Sequence, residues 1–243
     1  MFENPRISSV GLSGVLVSFA ADMQERANLA ALAFRAAIDA QDWPDVIETA
    51  STLVSTFVAV DLTTTPYENI RGRLQDLLTT QDWEDAPLPQ GRKLWTLPMC
   101  FEGSHAPQLG EAAHAAGLSE REAARDLQNA RTRVITIGYA PGQPYLGLLD
   151  AVWNIPRQSE LTPHVPAGAL VIAIRQFVLF TAAMPTGWRQ VGQTAFRPFD
   201  PDRASPVVLA PGDEVRFAPI TADELSALED GDSLGGAAWE TLL

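Results

Sequence analysis

The sequence predicts an α+β protein in two domains. The first is a small N-terminal α/β sandwich over residues 1–82. The second, over residues 91–222, is an antiparallel sheet closed into a barrel or sandwich. Three observations predict this. Helical apolar stripes alternate with β-branched runs in the first part of the chain, the pattern of helices laid on one face of a sheet. From Val134 onward, short apolar runs ("RVITIGYA", "GALVIAI", "FVLFTAA", "WRQVGQT", "DEVRFAPI") alternate with turn signals, the spacing of an antiparallel barrel or sandwich. Between them "QDWEDAPLPQGR" (residues 81–92) is acidic, holds two prolines and has no periodicity, which reads as a linker.

The elements follow in order. "VGLSGVLVSFA" (residues 10–20) reads as one strand. In the next segment Met23, Ala27, Ala30, Phe34 and Ala37 form a single helical stripe. "VIETASTLVSTFVAVD" (residues 46–61) is rich in β-branched residues and predicts two strands. Thr65-Pro66-Tyr67-Glu68 has the form of a capping box with proline at the first helical position, and Ile70, Leu74, Leu77 and Leu78 give that helix its buried face. After the linker, "KLWTLPMCF" is a strand, and Ser119 to Glu122 is a second capping box, opening a helix that runs to Asn129. Pro211-Gly212-Asp213 is a turn before the last strand expected, and Thr221 to Glu224 caps a short helix. Residues 223–243 read as a C-terminal tail.

Composition narrows the function classes. The chain has 243 residues, 46% apolar and 19% charged, with a net charge of −13, so a sizeable core is available. The negative charge disfavours phosphate neutralisation, hence nucleic acid and anionic membranes. Of 17 basic residues only Lys93 is lysine, which removes most candidates for a Schiff base or a phosphate-gripping lysine. One cysteine, Cys100, allows no internal disulfide. No apolar run reaches transmembrane length, and "MFENPRISSV" lacks the order of a signal peptide. The expected compartment is the cytoplasm.

Generic catalytic motifs are missing from the sequence: there is no phosphate-binding Gly-Lys-Ser/Thr loop, nucleophile elbow or His-Glu-x-x-His. His105, His114 and His164 lack metal-ligand spacing. His114 reads as a helix-surface residue. Cys100 reads as a small apolar residue ending a strand rather than a nucleophile beside His105. Trp83, Trp95 and Trp153 read as packing residues. What stands out is conformational. Gly138, Pro141, Gly142, Pro144 and Gly147 crowd one segment, Pro166-Ala167-Gly168 closes a second, and Gly187-Trp188 with Gly192 marks a third. Glycine admits backbone shapes closed to other residues and proline fixes φ. Such loops either line one groove with exposed amides, suited to a carboxylate or carbonyl, or are simply three tight turns.

Specific motifs accompany those clusters. Residues 138–147 read Gly-Tyr-Ala-Pro-Gly-Gln-Pro-Tyr-Leu-Gly, Val165-Pro166-Ala167-Gly168 follows, and then Gly187-Trp188, Gly192, Thr194, Phe199-Asp200-Pro201 and Pro211-Gly212-Asp213-Glu214-Val215-Arg216-Phe217. In order and spacing, from Thr136 to Ile220, this resembles the carboxyltransferase subdomain (C/D type) shared by the B-type subunit of 5-oxoprolinase, the first subunit of allophanate hydrolase and the Kip sporulation-kinase inhibitor. The resemblance implies a small α/β N-terminal domain and a cyclophilin-like C-terminal β-barrel. It implies a partner subunit of related fold and, in the 5-oxoprolinase type, a third, metal-dependent subunit, the assembled complex opening a cyclic amide with ATP. The Kip type instead binds a histidine kinase and blocks phosphotransfer.

By resemblance the groove is lined by Tyr139, Pro141, Gly142, Tyr145, Arg157, Pro166, Gly168, Gln176 and Trp188. No catalytic residue, metal or cofactor is assigned to this chain. There are departures from the family pattern. Its second Pro-Arg-type arginine falls on Thr162, and the arginine expected after Gly192 is Gln193, while Arg175 is new. A planar charged fork is not replaced by Thr or Gln, so either the substrate differs or the chain is a non-catalytic relative. The expected function is a subunit, inactive alone, of an amide- or lactam-opening complex. The alternatives are a kinase-inhibiting binding module and a paralogue with another ligand.

Overall fold

Gly11 divides what reads as one strand into two. The computed structural model describes residues 5–242, and in it β1 (Arg6–Val10) and β2 (Gly14–Ser18) form a hairpin. Gly11 takes a left-handed φ of 60° in the turn, a conformation that costs a non-glycine residue. A run of apolar residues alone does not reveal a reversal that sits on one glycine. Helix α1 (Glu25–Asp39) follows, then β3 (Val46–Ser51), β4 (Ser55–Val60) and α2 (Tyr67–Leu78). The sheet order is β1-β2-β4-β3, antiparallel throughout.

Strand alternation turns Val15, Val17, Val58 and Val60 toward the helices, where Ala27, Ala30, Phe34, Ile38, Ile70 and Leu74 complete the core. Trp83, inside the stretch read as linker, is buried edge-on against Phe34 at 4.9 Å, and its indole N–H donates to the Leu78 carbonyl at 3.1 Å. The capping box expected at Thr65 does not form. Pro66 is the N-cap, extended at φ −64° and ψ 145°, with no side-chain cap.

The chain divides between Gln90 and Gly91 into two compact units. The second unit opens with β5 (Lys93–Met99), α3 (Leu109–Ala115) and α4 (Glu120–Asn129). Then come β6 (Arg131–Ile137), β7 (Pro144–Gly147), β8 (Thr162–Val165), β9 (Ala169–Ala173) and β10 (Gln176–Leu179). It finishes with β11 (Met184–Thr186), β12 (Arg189–Gln193), β13 (Glu214–Pro219), α5 (Ala222–Glu229) and β14 (Ala238–Thr241). Both capping boxes expected here form, Ser119 with Glu122 and Thr221 with Glu224.

The main sheet has eight strands in the order β12-β9-β10-β7-β6-β13-β5-β14, and β8 pairs with β11 apart from it. Two features depart from the antiparallel barrel expected. β13 runs parallel to β5: the two are joined through helices and several strands, not a hairpin, so no tight turn imposes opposite directions. And the ladder ends in two edges, β12 and β14, rather than closing; one isolated bridge, Cys100 to Gln193, joins the residue after β5 to the end of β12. The segment read as a tail supplies α5 and the edge strand β14, which pairs with β5.

One face of this sheet packs Leu146, Leu170, Ile172, Phe177 and Val191 under α3 and α4, each buried side chain of this size contributing roughly 1.5–3 kcal/mol. The opposite face of β9 and β10 is apolar too, with Val171, Ala173 and Val178 beneath Trp188, Phe180 and Met184. That is why "ALVIA" and "FVL" are apolar without alternation. No helix among the described residues is long and apolar enough to cross a membrane.

Candidate functional site

The site begins with the pleat. In β10, Phe177 and Leu179 join the helix-covered core, while Val178 joins the opposite cluster, so Gln176 shares the face of Val178. Gln176 pairs directly with Gly147, and Val178 with Tyr145, in β7. A side chain at Gly147 would press on Gln176 Cγ at 3.3 Å. The Tyr145 ring meets Trp188 edge-on at 6.1 Å. Above Trp188 lies the Arg157 guanidinium, 5.3 Å from the ring centroid. Its neighbour holds it there: the Gln158 amide N–H donates to the Gly187 carbonyl at 2.7 Å. Tyr145, Arg157, Gln176 and Trp188 therefore gather on one face, with the arginine resting on Trp188.

The other candidates lie at the opposite end of the same strands. Residues 138–143 close a tight loop, in which the Gly138 N–H donates to Gln143 O at 2.8 Å and the Gln143 N–H to Ala140 O at 3.1 Å. Gly142 has φ +64° and leaves no room for a side chain, because Phe199 Cβ would be 2.9 Å away. Tyr139 stands fully exposed at the tip and Pro141 is exposed beside it. The buried Gln143 side chain accepts from the Thr181 N–H at 3.4 Å. Gly168 sits at φ +78°, where a Cβ would lie 2.2 Å from the Thr194 carbonyl oxygen. Pro166 before it is exposed. This end borders a cavity of about 460 Å³ whose walls include Gly168, Thr181, Gln193, Thr194 and Arg197, with Glu229 and Asp232 from the segment read as a tail.

A chain of side-chain amides joins the two ends. Gln158 Nε2 donates to Trp188 O at 3.0 Å and to Thr162 Oγ1 at 3.3 Å. Gln108 Nε2 donates to Gln158 Oε1 at 2.8 Å, and Gln108 Oε1 accepts from the Gln190 N–H at 2.9 Å. Gln190 Nε2 donates to His105 O at 3.1 Å and Gln193 Oε1 at 3.2 Å, and Gln193 Nε2 donates to Ala167 O at 2.7 Å. Every link is neutral, so the chain positions groups but supplies neither an acid nor a base at ordinary pH. Thr162 and Gln193, the two positions where the family pattern has arginine, are both members. Sequence reading missed Gln108, Gln158 and Gln190: each is an isolated glutamine in no motif, and no spacing rule would have found them.

Two further arginines and the cysteine are held by their surroundings. Arg189 is buried, pairing with Glu111 at 2.9 Å and donating to Pro156 O at 2.6 Å. Arg175, absent from the family pattern, donates through Nε to Leu149 O at 2.8 Å. It sits beside Ile174 in the β9–β10 turn, where both have positive φ, 63° and 44°. Cys100 is fully buried, and burial pushes its thiol pKa up, away from the thiolate a nucleophile needs. Among the described residues no group of three His, Cys, Asp or Glu is placed to hold a metal ion.

Known proteins resemble this chain. The model of the carboxyltransferase domain, subdomain C and D, matches residues 5–209. The chain is similar to the B-type subunit of 5-oxoprolinase from Bacillus subtilis (strain 168), 28% identical over 237 residues, covering 93% of this chain and 97% of that protein. It is 36% identical over 139 residues to the corresponding 5-oxoprolinase subunit of Escherichia coli O157:H7, covering 56% of this chain and 63% of that one. The solved structure of TTHA0988 matches with a TM-score of 0.71 at 26% identity over 86% of this chain, which spans only 40% of that longer chain.

Proposed function

The chain belongs to the carboxyltransferase subdomain C and D family, and on that premise we propose that it is one subunit of a hetero-oligomeric, ATP-dependent hydrolase of the 5-oxoprolinase type, inactive alone. The observation that carries this is the near end-to-end match to the 5-oxoprolinase subunit of Bacillus subtilis. The reaction opens an amide C–N bond into a carboxylate and an amine, water supplying the oxygen and ATP ending as ADP and phosphate. The partners are a second subunit of related fold and a third, metal-dependent one; the compartment is the cytoplasm. In this reading Tyr145, Arg157, Gln176 and Trp188 form the ligand-facing surface, with Arg157 meeting a carboxylate. Tyr139, Pro141, Gly142, Pro166 and Gly168 shape its far end. We also read the second unit as a cyclophilin-like barrel opened along one seam, which the Cys100–Gln193 bridge supports.

Co-purification with both partner subunits tests it. The complex should convert 5-oxoproline to glutamate with ATP, and the single chain should not. A correctly assembled complex without lactam turnover, or turnover by this chain alone, would sink the proposal.

A second reading is favoured by one observation, the neutral amide chain at Thr162 and Gln193. An uncharged lining there suits a ligand without the anionic group that an arginine pair would grip, so the chain would be a binding module with a different ligand, such as one that docks on a histidine kinase. Inhibition of kinase autophosphorylation by the isolated chain, with no turnover in the complex, would favour it.

A further inference from the structure

Resting on the lactam reading of the same site, we propose that Gln176 is its specificity-determining residue. Its side-chain carboxamide pairs with the ring amide of the ligand through two parallel hydrogen bonds. Unused hydrogen-bonding capacity is what points there. Gln176 is only 6% exposed, yet among the described residues its side-chain amide has no hydrogen-bond partner. Both amide atoms keep accessible surface, since the sealed, unpartnered side-chain atoms belong to other residues, such as Asp45 and Thr132. The buried amides of Gln143, Gln190 and Gln193, by contrast, are all bonded within the chain.

A second side chain on the same face behaves alike. Buried tryptophans usually find an acceptor for the indole N–H. Trp83, Trp95 and Trp153 do, on Leu78 O, Asp213 Oδ2 and Asp126 Oδ2. Trp188 is also 6% exposed, but among the described residues its indole has no acceptor, and the Tyr145 hydroxyl has no partner either. The pleat gathers these groups. Gln176 is flanked in register by Gly147 of β7 and Ala173 of β9, so no tall side chain stands on either side of it. Ala173 in turn faces Trp188, in the register that sets Arg189 against Ile172. Trp188 carries the Arg157 guanidinium, and its strand lies two spacings, roughly 10 Å, from β10. Ala173 is thus a low floor between the amide and the arginine-capped indole, wide enough for one small ring.

The chemistry of the open groups says what they would hold. Arg157, the Trp188 indole, the Tyr145 hydroxyl and Gln176 Nε2 all donate; Gln176 Oε1 and the tyrosine oxygen accept. That set suits a ligand rich in oxygen that carries one N–H. A secondary amide inside a small ring is held cis, so its N–H and C=O share one edge. An open-chain secondary amide strongly prefers trans, with the two groups on opposite sides. The Gln176 carboxamide also presents an N–H and a C=O on one edge. Two parallel bonds therefore form with a lactam and only one with an open-chain amide. A glutamate at this position would offer the lactam carbonyl no donor at neutral pH. The ring carboxylate then falls to Arg157.

The full chain, isotope-labelled, would be titrated with 5-oxoproline while the backbone amides of Tyr145, Gly147 and Gln176 are followed by NMR. Saturable shifts at those amides are expected. Two further probes set the discrimination. N-methyl-5-oxoproline keeps the ring and the carboxylate but has no N–H, and N-acetylglycine keeps the carboxylate beside a trans amide. Each should bind about tenfold more weakly or worse. Gln176→Met, similar in length but apolar, should weaken 5-oxoproline about tenfold and leave the N-methyl form no weaker, so that the discrimination between them disappears. A glutamine with only a structural role would move both ligands together or neither. No binding at this face, equal binding of 5-oxoproline and its N-methyl form, or discrimination that survives in Gln176→Met would overturn the proposal. Lactam turnover by the assembled complex is a separate measurement, and its failure would sink the function of the complex without altering these binding ratios.

Discussion

Strands β9 and β10 end in two different chemistries. At one end Arg157 lies exposed over Trp188, with Tyr145 and Gln176 on the same face. At the other, Gly168 and Gln193 are buried, Gly168 with no room for a side chain and Gln193 within a chain of neutral amides. The exposed arginine and the closed amide chain thus lie at separate ends. An exposed cation on an aromatic ring keeps most of its interaction capacity for a visitor, while a buried amide in a closed chain has little left to offer. Motif resemblance drew candidates from both ends without distinguishing them.

Four substitutions test that contrast. The largest effect is expected at Gly168→Ala. Its φ of +78° and the 2.2 Å approach to the Thr194 carbonyl should together cost about 3 kcal/mol or more in urea unfolding of the full chain. A cost below about 1 kcal/mol would show that this end is loosely packed and the contrast false. Next is Gln193→Leu, which strands the Ala167 carbonyl and one donor of Gln190; roughly 2 kcal/mol should be lost in the same measurement. An unchanged midpoint would mean that water replaces the amide and the network is not structural.

Ile174→Gly probes the turn that joins the two strands. Ile174 has φ 44°, strained for a β-branched residue. The variant should gain about 0.5–1 kcal/mol, the relief of strain exceeding the loss of a half-buried side chain. A lower midpoint would show that the Ile174 side chain contributes more than its backbone costs. The smallest effect on the fold is expected for Arg157→Ala, within about 0.5 kcal/mol. Its effect on binding should be the reverse, a loss of about 2 kcal/mol for an anionic ligand or partner, read by calorimetry. Equal binding by variant and parent would reduce Arg157 to a surface residue.

Much of the architecture is legible in the residue pattern. The stripe through Ala27, Ala30 and Phe34 is the buried face of α1, and the two boxes at Ser119 and Thr221 start helices where their spacing says. The failures are informative too. Gly11 reverses a run that looks like one strand, and Pro66, not Thr65, takes the N-cap position of α2, with no side-chain cap. In both cases a local pattern lost to a feature that apolar periodicity does not carry.

The candidate site is legible only in part. Trp188, Tyr145, Arg157 and Gln176 can be named from motif order, and strand alternation does place Gln176 with Tyr145. Nothing in the chain announces that Gln108 meets Gln158, that Gln190 reaches His105, or that residues after Ser233 supply a strand beside β5. Which segments are helices, which are strands and which faces are apolar can be read from the residues, because those properties depend on neighbours two to four positions away. The parallel pairing of β13 with β5, the position of β14 and the neutral chain from Trp188 to Ala167 arise only in the folded molecule. The links of that chain span 50, 82 and 85 residues, and a hydrogen bond over such a separation leaves no periodic trace; it exists only once burial has brought both partners together and removed the water that each would otherwise bind.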